Sequence, residues 1–297
     1  MTTFQKITLI GKGLFGSVVL SELASAGFEV TLLSRSEKPD EVLPGGVRRV
    51  VVDYNDRESL AKTLSGQDAV VSTITTQAAL SQKLIIDAAI QARVKRFIPS
   101  DFGSLTTNPD ASHFPHHVNF VEIQKYLKSK SDEIEYTIFS VGAFTEFLVN
   151  YSLVFDWKSK TAEVWGDGTS PISTTSLGGA ARAIVGALKN PEPTKNKNLF
   201  VHEHVVTQAQ LLSLAKKYSL GVEWDVTTVE DPAAEFDRLE ALANKEPEMP
   251  NILALLKASL VSGKYQGWYK DVDNDLVGVP VLTEEDLEAT FAKAYGS

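Results

Sequence analysis

The residues best suited to chemistry stand near the start of the chain, where Gly11-Lys12-Gly13-Leu14-Phe15-Gly16 follows an apolar run and precedes a helical pattern. Glycine at these three places has three uses. Gly11 permits a tight turn, Gly13 lets backbone approach an anion, and Gly16 lets a helix pack closely on its strand. The helix then presents unpaired N–H groups to that anion. The spacing alone is weak, but strand, glycine turn, helix and second strand are complete by Ser34. Together they point to a dinucleotide pyrophosphate.

The residues after the second strand bear on which dinucleotide. A carboxylate there would accept from a ribose 2'-hydroxyl and repel a 2'-phosphate. The chain has Ser34-Arg35-Ser36 with Lys38 close behind. A guanidinium can clamp a phosphate in bidentate fashion, so the expected cofactor is NADP(H). Asp53 is placed either to meet the adenine amine or to cap the following helix. Thr73 and Gln77 follow the fourth strand at the edge where such sheets bind ligands, and are expected near the nicotinamide half.

Three of the five histidines, His113, His116 and His117, crowd one loop. Imidazole titrates near neutrality, so His116 or His117 could act as general acid to a carbonyl receiving hydride. No acidic residue shares their spacing, and no metal site is expected. Tyr126 and Lys130 form a Tyr-x-x-x-Lys pair at a helix end, where their side chains would point away from the cofactor. Asp271 to Asp275 imitates a calcium loop but has Leu276 and Leu282 where a glycine and an acid are required, which leaves a solvated turn. Trp157, Trp165, Trp224, Trp268 and Tyr269 as a set favour an aromatic ligand, although singly each reads as packing.

The elements that must position these groups alternate as βαβ units. Apolar runs at 6–11, 29–34, 48–53, 69–74, 95–100 and 135–141 read as strands buried on both faces. Helical stripes fall at 15–26, ended by Gly27, and at 77–93 and 118–130. The fold class is α/β, a doubly wound parallel Rossmann sheet with a smaller C-terminal α/β substrate lobe. The division is placed at residues 1–150 for the NADP-binding domain and 151–297 for the lobe, whose helices are expected at 176–189, 207–218 and 233–244. Pro191 to Asn198 reads as an exposed connection. The chain of 297 residues has no cysteine and a formal net charge of -9. Thiolate chemistry is excluded, nucleic acid is an unfavourable partner, and no membrane segment is expected. A cytoplasmic location is the expectation.

By Arg96-Phe97-Ile98-Pro99-Ser100-Asp101-Phe102-Gly103 the sequence resembles the isoflavone reductase-like and NmrA-like group of atypical short-chain dehydrogenases. The resemblance extends through Tyr136-Thr137-Ile138, Gly142-Ala143-Phe144 and Trp165-Gly166-Asp167-Gly168. It implies that Ser100, Phe102, Gly142 and Phe144 line the nicotinamide and substrate side. It also implies a catalytic lysine on the helix before the sixth strand, a position that falls on Phe120 here and leaves only a substrate-lining role. The expected function is NADPH-dependent reduction of a carbonyl or conjugated double bond in an aromatic, secondary-metabolite-like small molecule. Phe120 leads to one alternative, a non-catalytic redox sensor acting through a protein partner, and a further alternative is an isomerase or cyclase using the same pocket.

Overall fold

The computed structural model of the chain describes residues 4–37, 40–149 and 153–295. Its first half runs β1 (Lys6–Ile10), α1 (Leu14–Ser25), β2 (Glu29–Ser34), β3 (Val47–Val51), α2 (Arg57–Leu64), β4 (Ala69–Ser72), a 3-10 turn (Thr76–Ser81), α3 (Gln82–Gln91), β5 (Arg96–Ile98), α4 (Val118–Ser129) and β6 (Glu135–Ser140). After these come β7 (Ala143–Phe144), α5 (Thr145–Val149), β8 (Phe155–Asp156), β9 (Thr161–Trp165), β10 (Ile172–Thr175), α6 (Leu177–Lys189), β11 (Lys197–Phe200) and β12 (His204–Val206). The chain continues through α7 (Gln208–Lys217), β13 (Asp225–Val229), α8 (Pro232–Lys245), α9 (Met249–Val261), α10 (Asn274–Val277) and α11 (Glu284–Tyr295).

The main sheet has the order β11-β6-β5-β4-β1-β2-β3, and all its pairings are parallel. Ile7 of β1 pairs with Val30 on one side and Ala69 on the other, and helices cover both faces. One face packs α1 and α6, the other α2, α3 and α4. The six expected strands are present, but five stop one or two residues early. Gly11, Asp53, Thr73, Ser100 and Val141 leave the ladder at its carboxyl edge, and these departures form the candidate site. The expected helix at 77–93 is broken into the 3-10 turn and α3.

Two expectations are corrected. β3 is not buried on both faces: it is the sheet edge, with partly exposed residues throughout and Arg48 donating to Thr31 Oγ1 at 3.0 Å. Residues beyond 150 also contribute to the first sheet and its layers: α6 packs on α1 and β11 adds a seventh strand beside β6. The stretch 191–198 is therefore no simple exposed connection. Thr194 is fully buried, and the buried Arg96 guanidinium donates to Pro191 O at 2.7 Å and Thr194 Oγ1 at 3.2 Å.

Two smaller sheets, β12-β10-β7 and β13-β9-β8, organise the second lobe with α7, α8, α9 and α11. Trp157, Trp165 and Trp224 are buried in its core, so they are packing residues and not ligand platforms. The aspartate-rich turn is not merely solvated. Asp273 accepts from Phe200 N at 2.9 Å, and buried Asn274 both donates to His202 O and accepts from His202 N. No helix among the described residues is long and apolar enough to cross a membrane.

Candidate active site

The glycine turn can be tested position by position. Gly11 has φ +95°, and a Cβ there would lie 2.7 Å from Thr73 O. At Gly16 a Cβ would meet Thr73 Oγ1 at 2.5 Å and press on the Gly11 carbonyl. At Gly13 it would meet nothing within 4 Å. The turn is thus closed behind Gly11 and Gly16 and open in front of Gly13. Helix α1 starts at Leu14 with Gly13 as N-cap, no side-chain cap and no acidic residue in its first turn. Its N-terminal dipole and N–H groups are left for an external anion.

Thr73 supports this turn, donating from Oγ1 to Gly11 O at 2.8 Å. Lys12 pairs with Glu41, which Arg49 also grips, so its ammonium is held by a carboxylate. These contacts, Lys12 first, keep the Glu41 pKa below the usual carboxylate range. Ser34 Oγ donates to Ser36 O at 2.9 Å, shaping the bend from which Arg35 projects, exposed. Arg35 acts electrostatically on half-buried Tyr54, whose phenol is nevertheless pushed up to about 12 by desolvation. Lys38 lies outside the described residues. Asp53 is exposed and accepts from Asn55 N at 2.9 Å; the α2 cap is Asp56, which accepts from Ser59 N at 3.0 Å, so the capping alternative for Asp53 is overturned.

Toward β5 and β6 the site becomes apolar. Phe15 stands edge-on to Phe102 at 4.8 Å between centroids and 5.3 Å from Phe144. Ser100 Oγ donates to Ile74 O at 2.8 Å, and Ser100 N to Gln82 Oε1 at 2.7 Å. Gln82, fully buried, was not singled out from sequence; its one signal was a polar residue on an otherwise apolar helix stripe. Gln77 is exposed at the start of the 3-10 turn. Gly142 has φ +70°, leaves no room for a side chain against Ser173, and donates its N–H to Tyr269 Oη at 3.0 Å. Asp101 is also buried, accepting from Thr106 Oγ1 and Gln124 Nε2 at 2.7 Å each, and burial raises its pKa.

The histidines behave differently from the expectation. His116 packs 5.7 Å from Phe114 and 4.2 Å from His117, and both its ring nitrogens are buried without a hydrogen-bond partner among the described residues. Desolvation, then the neighbouring His117, push its pKa down to about 3. His117 Nδ1 hydrogen-bonds Ala111 O at 2.8 Å, and burial lowers its pKa to about 4. Burial disfavours the imidazolium form of both rings at neutral pH, so neither is suited to act there as a charged general acid. A neutral ring can still polarise a carbonyl through its N–H. His113 is exposed and 2.5 Å from Glu240. Phe120 is half-buried in the first turn of α4. Tyr126 donates to Asp87 at 2.5 Å and Lys130 pairs with Glu133 at 2.9 Å, which engages both members of the Tyr-x-x-x-Lys pair. No group of three or more His, Asp or Glu residues among the described residues could hold a metal.

Residues 3–276 match the model of the NmrA-like family. An oxidoreductase, aprR, from Aspergillus flavus is 30% identical over 296 residues, covering 97% of this chain and 99% of that protein. An isoflavone reductase homolog, P3, from Arabidopsis thaliana is 27% identical, covering 67% of this chain and 69% of that protein. Among solved structures, an isoflavone reductase superposes with TM-score 0.76 at 21% identity, over 98% of this chain and 100% of that one. The complex of leucoanthocyanidin reductase with NADPH from Vitis vinifera gives TM-score 0.76 at 18% identity, again over 98% and 100%. AtPrR2 with NADP+ and (+)pinoresinol gives 0.70 at 22% identity, over 88% and 87%.

Proposed function

Because the chain belongs to the NmrA-like family, we propose that it is an NADPH-dependent reductase of the isoflavone reductase-like type, acting on a carbonyl or conjugated double bond of an aromatic small molecule. The observation that carries this reading is the asymmetry of the glycine turn, closed at Gly11 and Gly16 and open at Gly13, at the start of an uncapped helix. That arrangement suits a pyrophosphate. Relatives named as oxidoreductases and solved relatives holding NADP+ or NADPH support it. The backbone of Gly11 to Gly16 would hold the pyrophosphate, Arg35 and Ser34 the 2'-phosphate, and Asp53 the adenine amine. When bound, the nicotinamide supplies the hydride.

Phe15, Phe102 and Phe144 form an apolar wall suited to a planar substrate and to excluding water. His116 is assigned as an uncharged N–H donor, because its nitrogens have no partner among the described residues. Steady NADPH oxidation with a panel of aromatic enones, lowered at least about tenfold in His116→Ala, is the expected result. Tight NADPH binding with no turnover across the panel would count against the reductase reading.

Arg35→Ala is expected to lower the preference for NADPH over NADH about 10- to 100-fold, by loss of a charge-assisted contact. Its thermal unfolding should not change, since Arg35 is exposed. Competitive titrations with the two cofactors measure this, and an unchanged preference would refute the clamp. A second reading rests on Phe120 together with two histidines that resist protonation. In it the chain senses the dinucleotide's redox state and signals to a protein partner, binding the oxidised and reduced forms with different affinity.

A further inference from the structure

We propose that a cavity beside the ends of β6 and β11 is a second small-molecule site, separate from the glycine turn, for a planar aromatic ligand bearing a carbonyl acceptor. The cavity is about 540 Å3, within the range of small-ligand sites. Its walls include Ser104 and Asn108 from the loop after β5, Phe200 at the end of β11, and Trp268, Tyr269 and Lys270 from the segment before α10. None of the glycine-turn residues contributes.

The aromatic walls are organised. Phe200 and Tyr269 meet edge to face with centroids 5.0 Å apart, and Trp268 is half-buried beside them. The other three tryptophans are buried in the second lobe, so Trp268 stands apart in facing open space.

The polar groups of the cavity are mostly donors in want of acceptors. Ser104 Oγ is buried without a hydrogen-bond partner among the described residues. Asn108 spends its carbonyl on Asp110 N at 2.9 Å, which leaves its amide N–H groups unused. The Trp268 indole N–H has no partner among the described residues, and Lys270 is exposed at the mouth, next to Asp271. Ser104 carries the one buried unpartnered hydroxyl of this set, Asn108 and Trp268 are half-buried, and a ligand carbonyl would give these donors an acceptor. The acid beside Lys270 balances the charge at the mouth, which favours an uncharged acceptor over an anion.

Tyr269 forms the partition between this cavity and the cofactor side. Its hydroxyl accepts from Gly142 N at 3.0 Å and donates to Ser104 O at 2.7 Å. Since no residue of the glycine turn lines the cavity, the proposal has it fill while a dinucleotide occupies the turn.

Calorimetric titration of coumarin into the full chain saturated with NADP+ tests the assignment. A saturable site is expected whose affinity is the same when NADP+ is omitted, which distinguishes it from binding beside the cofactor. Trp268→Ala and Asn108→Asp should each weaken binding about tenfold, the effect of losing an aromatic wall or one hydrogen bond. Trp268→Phe, which keeps the fold and the aromatic wall but lacks the indole N–H, should weaken binding less than Trp268→Ala and abolish the ligand-induced tryptophan quenching expected of the parent. Displacement of coumarin by NADP+, undiminished binding in both Trp268→Ala and Asn108→Asp, or no saturable heat would overturn the proposal. NADP+ binding, measured separately, decides the cofactor assignment independently.

Discussion

Gly13→Ala is expected to remove most dinucleotide binding while leaving the fold intact. The backbone at Gly13 has φ -83°, which any residue tolerates, and an added Cβ would meet no protein atom within 4 Å. Stability should therefore change by less than about 0.5 kcal/mol, as for an exposed substitution. The methyl group would instead occupy the space through which an anion must approach the α1 N-terminus. A steric conflict of about 3 kcal/mol there raises Kd about 100-fold. Gly16→Ala supplies the contrast. Its Cβ would press on the Gly11 carbonyl and lie 2.5 Å from Thr73 Oγ1, so the helix must move and thermal stability should fall along with binding. Titration of NADPH beside a thermal melt separates the two cases. Gly13→Ala binding NADPH as tightly as the parent would refute the pyrophosphate site.

The buried histidines predict the second large effect, a steep loss of stability in mild acid. Their folded pKa values, about 3 for His116 and about 4 for His117, lie below the ordinary 6.5. The unfolded chain therefore binds more protons than the folded one between pH 6.5 and about 4, and stability rises with pH across that window. The contribution is fully present above pH 6.5 and is lost as pH falls. For a rigid site, His116 alone would account for about 3 kcal/mol between pH 7 and pH 4. Glu41, Asp68 and Glu135, whose pKa values are lowered, add to the loss only at the acid end of this range, while buried Asp101 opposes it. His116→Leu isolates the imidazole, and an apolar side chain replacing a buried polar one without partners should cost little at neutral pH. Acid unfolding followed by circular dichroism should move to lower pH in this variant. An unmoved midpoint would show that the ring is solvated in the folded protein.

Much of the first lobe was legible because its signals are local. Each central strand is a short apolar run bounded by turn residues, and the turn after β1 announces itself by spacing. The edge character of β3 was not legible: Val50 and Val51 look like any buried pair, and their partial exposure follows from the sheet ending there. Nor was β11, since Lys197-Asn198-Leu199-Phe200 follows a stretch rich in proline and lysine, and only pairing with β6 makes it a strand. The tryptophans suggested a ligand platform as a group, whereas packing buries three of them and leaves Trp268 beside a cavity.

By itself the sequence determined the strand, glycine turn and helix that suit a dinucleotide, because backbone conformation at Gly11, Gly13 and Gly16 depends on the residue at each place and its immediate neighbours. It also placed His116 and His117 in one loop. Only the tertiary structure decided their chemistry, since a pKa is set by what surrounds the ring. Burial against Phe114 removes the solvent that would stabilise an imidazolium, and turns an expected general acid into a neutral ring with two unsatisfied nitrogens.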